Sequence, residues 1–171
     1  IKGYIRNITP LRTYIKQTKF DIIHAHYGLI GLLCVLAFPG IPIVLSVMGS
    51  DAYGSFNDKG KRIKSSYFDM LLTQIALIFV NQIIVKSKNI LKIIPYKNKS
   101  QIIPNGVDFE IFKPDNKSLK QNTVLFLANP VDPRKNFRLV KEAIELIDDK
   151  YITLFNPYPI KHNEFPKFLN N

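Results

Sequence analysis

The stretch DIIHAHYGLIGLLCVLAFPGIPIVLSVMGSDAYG, residues 21–54, constrains this chain more than any other. Its apolar run at Ile22 and Ile23 breaks into His24-Ala25-His26-Tyr27-Gly28. An apolar segment of helical length follows from Leu29 to Phe38 and stops at Pro39-Gly40. A second apolar run, Pro42 to Val47, ends in Met48-Gly49-Ser50-Asp51. Strand, loop, helix, strand, loop is the order of a parallel βαβ unit, so the fold class is α/β. Open parallel sheets bind ligands beyond the carboxyl ends of their strands. Both polar clusters, His24 to Gly28 and Gly49 to Asp51, fall at such ends.

The same alternation extends in both directions. Thr9-Pro10 reads as a helix N-cap followed by proline at the first helical position, with Leu11, Tyr14 and Ile15 at helical spacing up to Lys19. A helix is expected from Lys64 to Phe79, a strand at Asn81 to Val85, and a helix capped by Ser87 over Lys88 to Ile94. A short strand follows at Gln101 to Ile103. The segment Phe112 to Lys117 is polar and contains proline, as linkers do. Then the pattern restarts. Thr123 to Ala128 reads as a strand, Phe137, Val140, Ala143, Ile144 and Ile147 mark an amphipathic helix, and Tyr151 to Phe155 is the next strand. The expected organisation is one α/β domain over 1–108, a linker over 109–122, and the start of a second domain over 123–171. Limited proteolysis should cut between Phe109 and Gln121. A visible sheet that opens on a helix implies earlier strands before Ile1.

Charge bounds the partners. The chain carries 24 Lys and Arg against 13 Asp and Glu, a formal net charge of +11. Nucleic acid, an anionic membrane surface and a phosphorylated small molecule all suit such an excess, and so does a plain solvated surface. Basic residues are not interleaved with aromatics in any nucleic-acid-binding motif, so nucleic acid is set aside. Lys59, Lys61, Arg62 and Lys64 form the densest cluster, directly ahead of the apolar segment Tyr67 to Val80. That juxtaposition suits attachment to a membrane surface. No stretch has the roughly 20 apolar residues of a membrane span. Cys34 is the only cysteine and lies among leucines, which reads as a buried, inert thiol and excludes an internal disulfide. A reducing compartment, hence a cytoplasmic location, is consistent with that.

Four clusters could carry chemistry. His24 and His26 at i and i+2 share one face of a strand, where two imidazoles could meet one metal ion. No further ligand cluster completes such a site in the sequence, and two histidines lining a cleft, or one bonded to backbone in the core, are the competing readings. Gly49-Ser50-Asp51 permits positive φ and close approach of a ligand to backbone N–H groups, or is a plain turn with Asp51 as helix cap. Pro104-Asn105-Gly106-Val107-Asp108 fixes a turn. Pro133-Arg134-Lys135-Asn136 places two cations at the start of a helix, against its dipole; a bound anion would resolve that conflict.

Taken in order, DIIHAHYG, VLSVMGSD, QIIPNGVDFEIFKP and VLFLANPVDPRKNFRLVKEAI resemble the family-4 glycosyltransferases of the GT-B fold, over nearly the whole chain. The resemblance implies two Rossmann-like domains, the first taking the acceptor and the second a nucleotide-diphosphate sugar. It implies transfer with retention, no cofactor and no catalytic metal. The acceptor it implies is a glycan, a lipid or a small molecule, with a glycan or lipid-linked acceptor as the expected partner. By the same likeness Gly49, Ser50 and Asp51 are acceptor-side, with His24, His26 and Asp51 as candidates for the catalytic cleft. Asn105, Gly106 and Asp108 lead to the interdomain hinge. Lys135, preceded by Arg134, binds donor phosphate, with Asn129 beside it.

The chain departs from the family pattern at three points. Met48 stands where many relatives have histidine, and a thioether neither donates a hydrogen bond nor carries a proton. Asn129 stands where many have arginine. The paired-glutamate segment and the N-terminal Gly-rich loop of the family are not in the sequence. The expectation is therefore a central fragment: an incomplete N-terminal domain plus the start of the C-terminal one. It should be marginally stable, prone to associate, and not a working transferase alone. A truncated non-catalytic product, or a partner-binding protein with a basic surface, is the alternative.

Overall fold

The computed structural model describes residues 2–57, 59–113, 123–132, 135–147, 153–161 and 164. The chain forms two compact units, Ile1–Asn105 and Gly106–Asn171.

The first unit begins with helices α1 (Lys2–Arg6) and α2 (Ile8–Thr18), then alternates β1 (Ile23–His26), α3 (Gly28–Leu36), β2 (Ile43–Val47), α4 (Ser50–Tyr53), α5 (Lys64–Phe79), β3 (Gln82–Val85), α6 (Lys88–Ile93) and β4 (Ser100–Ile102). The four strands make one parallel sheet in the order β1-β2-β3-β4. Parallel strands cannot be joined by tight hairpins, and here each connection carries helix. Leu45, Val47, Ile83 and Val85 point to one face and are fully buried. They form the core with Ala25 and Cys34, with Ala76 and Leu77 of α5, and with Ile90 and Ile94. Burial also pushes the Cys34 thiol above its ordinary value, which keeps it protonated.

Two glycines set the depth of α3. A Cβ on Gly28 would lie 1.9 Å from the Thr73 hydroxyl oxygen on α5, and one on Gly31 would lie 2.8 Å from the Leu45 methyls. Only hydrogen at both positions lets α3 sit against its neighbouring helix and the sheet together. Further polar contacts fix the ends of elements. Asn81 takes both backbone groups of Ile43, its Oδ1 accepting at 2.8 Å and its N–H donating at 2.9 Å. Lys99 donates to the carbonyls of Ile78 and Val80 at the end of α5, at 2.9 and 2.7 Å. A cation there meets the negative end of the helix dipole, and partial desolvation lowers the Lys99 pKa.

Several boundaries differ from the sequence expectation. Helix α2 starts at Ile8, with Asn7 rather than Thr9 at its N-cap and Pro10 inside the first turn. Proline is tolerated there because the first-turn N–H groups have no partner within the helix. Helix α3 ends at Leu36, not Phe38; Phe38 takes the left-handed φ of 47°, and Pro39 follows. Strand β4 lies one residue earlier than expected. Helix α5 spans the expected Lys64–Phe79, and Ser87 caps α6 by accepting from the Ile90 N–H at 3.3 Å.

The second unit contains one parallel pair, β5 (Thr123–Leu125) and β6 (Thr153–Phe155), linked through helix α7 (Phe137–Glu145). Strand β5 is shorter than expected, although the Phe126 N–H still donates to the Phe155 carbonyl at 3.0 Å. Phe126 and Phe137 stack at 4.9 Å between centroids.

Candidate functional site

In the first unit, β1 and β2 pair so that His24 and His26 stand opposite Val44 and Ser46. Ala25 and Leu45 turn to the core, so the pleat sends His24, His26 and Ser46 to the other face. The His24 Nε2 and the Ser46 hydroxyl are 2.9 Å apart, and the two imidazoles lie 4.3 Å apart at 37°. Both histidines are exposed, whereas Ser46 is fully buried. Ser46 is therefore satisfied from the sheet surface by an accessible imidazole. Neither histidine is locked in the core.

Alternation along β3 turns Lys86 toward this same face, one residue past Val85. The pKa of His24 lies below its ordinary value, first through burial and then through the nearby positive charges of His26 and Lys86. Near neutral pH the His24 ring is thus predominantly neutral and can donate or accept a hydrogen bond. Lys86 was missed by motif reasoning, but strand parity was the available signal.

The loops after β1 and β2 are tied by one side chain. Asp51, at the second position of α4, is fully buried. Its Oδ2 accepts from the Gly28 N–H at 2.9 Å, and its Oδ1 accepts from the N–H groups of Met48 at 3.0 Å and Gly49 at 2.8 Å. Gly28 opens α3, so a single carboxylate satisfies an orphan donor of one helix and two donors of the next junction. The charge also sits at two positive helix ends. Asp51 thus binds the two loops together and does not project into solvent.

Gly49 adopts φ 123° and has open space where a Cβ would stand. Tyr27, between β1 and α3, holds φ 84° and ψ 140°, which non-glycine residues rarely adopt. Its N–H donates to the Ser46 carbonyl at 3.0 Å, fixing the turn from the sheet side. Met48 is 44% exposed at the edge. His24, His26, Gly49 and Ser50 therefore collect at the carboxyl end of one sheet, with Asp51 beneath them. Among the described residues, no three His, Cys, Asp or Glu side chains gather as a metal site.

The remaining expected site residues lie elsewhere. Asn105 ends the first unit. In the second, Gly106 and Asp108 are exposed, and Asp108 Oδ1 accepts from the Glu110 N–H at 2.9 Å to form a turn. Asn129 follows β5 and its Oδ1 accepts from the Val131 N–H at 3.1 Å. Lys135 is exposed, its backbone N–H bonded to the Asp132 carbonyl at 3.0 Å. Asn136 then enters α7 in the left-handed region without capping it. Arg134 lies outside the described residues.

Comparison with known proteins adds three findings. Residues 1–111 match the family model of Glycosyltransferase Family 4. The chain is 26% identical, over 161 residues, to the UDP-Gal:alpha-D-GlcNAc-diphosphoundecaprenol alpha-1,3-galactosyltransferase of Escherichia coli; the match covers 84% of this chain and 40% of that protein. Its fold is similar to that of sucrose-phosphate synthase from Thermosynechococcus elongatus, with a TM-score of 0.61 at 12% identity over 98% of this chain and 52% of that one. The chain thus spans about half the length, or less, of these two proteins.

Proposed function

The chain belongs to Glycosyltransferase Family 4, and from that membership we propose that it serves the transfer of a sugar from a nucleotide-diphosphate sugar to a lipid-linked or glycan acceptor, with retention of configuration. One observation carries the acceptor side of this reading: the exposed His24 and His26 and the half-buried Lys86 gather at the carboxyl end of the first sheet. The two loops beside them are held by Asp51. Imidazoles can orient a sugar hydroxyl, and an ammonium beside them suits an acceptor that carries phosphate. The Escherichia coli relative, whose name describes a diphosphate-linked acceptor, supports that choice. Asp51 is a positioning residue in this scheme. Gly49 and Ser50 offer the backbone and hydroxyl that a substrate would touch.

On the donor side, Lys135 and Arg134 supply the positive field for the departing diphosphate, and Asn129 offers it a neutral amide donor. Such preorganised charge stabilises the negative charge that develops as the glycosidic bond breaks. The acceptor-side domain is taken as 1–108 and the donor-side domain as starting at 123, with Asn105, Gly106 and Asp108 as the hinge before the 109–122 linker; the boundary of the compact units, between Asn105 and Gly106, falls within that hinge. The reaction belongs to the cytoplasm or to the inner face of the cytoplasmic membrane. The missing histidine at Met48 leaves any proton relay to His24 or His26.

Calorimetric titration of the chain with UDP- and GDP-sugars tests the reading. We expect saturable binding of one nucleotide class, weakened by about 1–3 kcal/mol in Lys135→Ala, the scale of a charge-assisted hydrogen bond. Unchanged affinity in that variant would remove Lys135 from the site, and no binding of either class would remove the donor role from this chain.

A further inference from the structure

Helix α5 is built inside out. The residues it buries are Ser66, Thr73, Ala76 and Leu77, three of them small. Leu77 apart, large side chains of this helix face outward: Phe68 is 50% exposed and Leu71 is 55% exposed. The close approach of α3 at Gly28 explains the small inner face, since Thr73 already fills that space. It does not explain Phe68 and Leu71. Phe68 and Leu72, with residues of α1, α2 and α3 that include Tyr4, Ile5, Ile8 and Leu33, line an apolar groove of about 190 Å³, and Leu71 is exposed next to Leu72 in the chain. Ile5 is itself 60% exposed.

Three of the helices that line this groove also carry exposed cations. Arg6 follows Ile5 on α1, Arg12 stands one turn beyond Ile8 on α2, and Lys64 stands one turn ahead of Phe68 on α5. All three are exposed. The sequence of the first unit holds 14 Lys and Arg against 4 Asp and Glu, a net +10 of the chain's +11. One of the four acids, Asp51, is buried among backbone donors.

We propose that this groove is a membrane-docking surface that seats on a bilayer of anionic lipid. Phe68, Leu71 and Ile5 enter the acyl boundary, while Arg6, Arg12 and Lys64 reach the headgroups. Long basic side chains suit this because their stems lie on apolar surface while their ends stay with phosphate. Charge selects the occupant. A second copy of the chain would bring one strongly cationic unit against another, whereas an anionic leaflet attracts all three cations. No helix among the described residues is long and apolar enough to cross a membrane, so the contact is interfacial.

The inference deepens the membrane-surface part of the proposed function, and its test reads binding without turnover, so the two fail separately. The full chain is sedimented with phosphatidylcholine vesicles with and without phosphatidylglycerol. We expect binding about tenfold or more stronger with phosphatidylglycerol, weakening as salt is raised. Phe68→Ser with Leu71→Ser should lower binding to anionic vesicles about tenfold. Arg6→Glu, Arg12→Glu and Lys64→Glu together should remove the preference for phosphatidylglycerol. Salt dependence of the unaltered protein keeps the test valid where a variant fails to fold. Equal binding to both vesicle types would overturn the proposal. So would a dimer in light scattering that Phe68→Ser abolishes while vesicle binding is absent. Random duplex DNA that binds more tightly than vesicles, with no loss in the Phe68 and Leu71 variant, would assign the cations to nucleic acid instead.

Discussion

The two units use the same grammar of parallel strands and crossover helices, yet they bury very different things. In the first, Leu45, Leu77, Ile83, Val47, Val85 and the polar Thr73, Asp51 and Ser46 are all sealed from solvent. In the second, no described residue is fully buried. The contrast runs against local pattern. Helix α7 has the cleaner amphipathic sequence, with Phe137, Val140 and Ile144 on one stripe, but those residues are only half-buried. Helix α5 has apolar residues on nearly every side and still encloses the core through its small ones. Periodicity decides which face of a helix turns inward. Burial depends on how many strands and helices meet that face, and among the described residues four strands meet it in the first unit and two in the second.

Substitutions in matched pairs can break this comparison. The largest effect belongs to Leu45→Ala, which empties the centre of the first sheet and should cost about 4 kcal/mol. Its counterpart Leu139→Ala, on a residue 57% exposed, should cost under about 0.5 kcal/mol. Urea melts of both variants check this, and equal losses would mean that the second unit shares the main core.

A second pair sets one carboxylate against another. Asp51 and Asp108 both accept backbone N–H bonds, one in the core and one in solvent. Asp51→Ala leaves three donors short of a partner and should cost about 3 kcal/mol, whereas Asp108→Ala should cost about 0.5 kcal/mol. A smaller loss at Asp51 in the same melts would show that water enters the junction.

The third pair is glycine. Gly28→Ala drives a methyl into Thr73 and should cost about 2 kcal/mol. At Gly106 a Cβ meets nothing within 4 Å, so Gly106→Ala should be neutral or stabilise by about 0.5 kcal/mol. A neutral Gly28→Ala would mean that α3 and α5 can separate without loss.

The smallest effect concerns pH. Because the folded pKa of His24 lies below 6.5, the unfolded chain takes up that proton first as pH falls through 6.5. Stability therefore declines toward acid in this window and recovers as pH rises. His24→Gln should flatten that part of the curve in thermal melts between pH 5 and 7. An unchanged slope would separate His24 from the acid loss.

Much of the fold was legible in the sequence because it depends on short-range signals. The strand–helix alternation gave the parallel α/β class, and the Lys64–Phe79 helix and the Ser87 cap follow from local patterns. The partners of Asp51 were not legible. A Gly-Ser-Asp turn looks the same whether its carboxylate faces solvent or reaches back to Gly28, and only the register of β1 beside β2 decides. Lys86 was hidden for a similar reason, since one lysine among 24 Lys and Arg acquires meaning only when strand parity turns it toward His24. The shift of the α2 N-cap from Thr9 to Asn7 is a smaller case: α1 supplies a preceding turn, and Asn7 bonds back to the Gly3 carbonyl at 2.7 Å instead of capping forward.

The Asp51 clasp also sets a timetable for synthesis. Gly28 leaves the ribosome 23 residues ahead of the carboxylate that fastens it, and further still ahead of Thr73, against which it closes. The first strand-to-helix junction to be made is therefore among the last to be secured. In the meantime Tyr27 is held in its unusual backbone angles only from the sheet side, through the Ser46 carbonyl. We predict that Asp51→Ala speeds unfolding far more than it slows folding, with a φ-value near zero in stopped-flow kinetics; a value near one would place the clasp in the folding nucleus. Until Asp51 has been made, the nascent first unit has β1 and β2 but no latch between their loops.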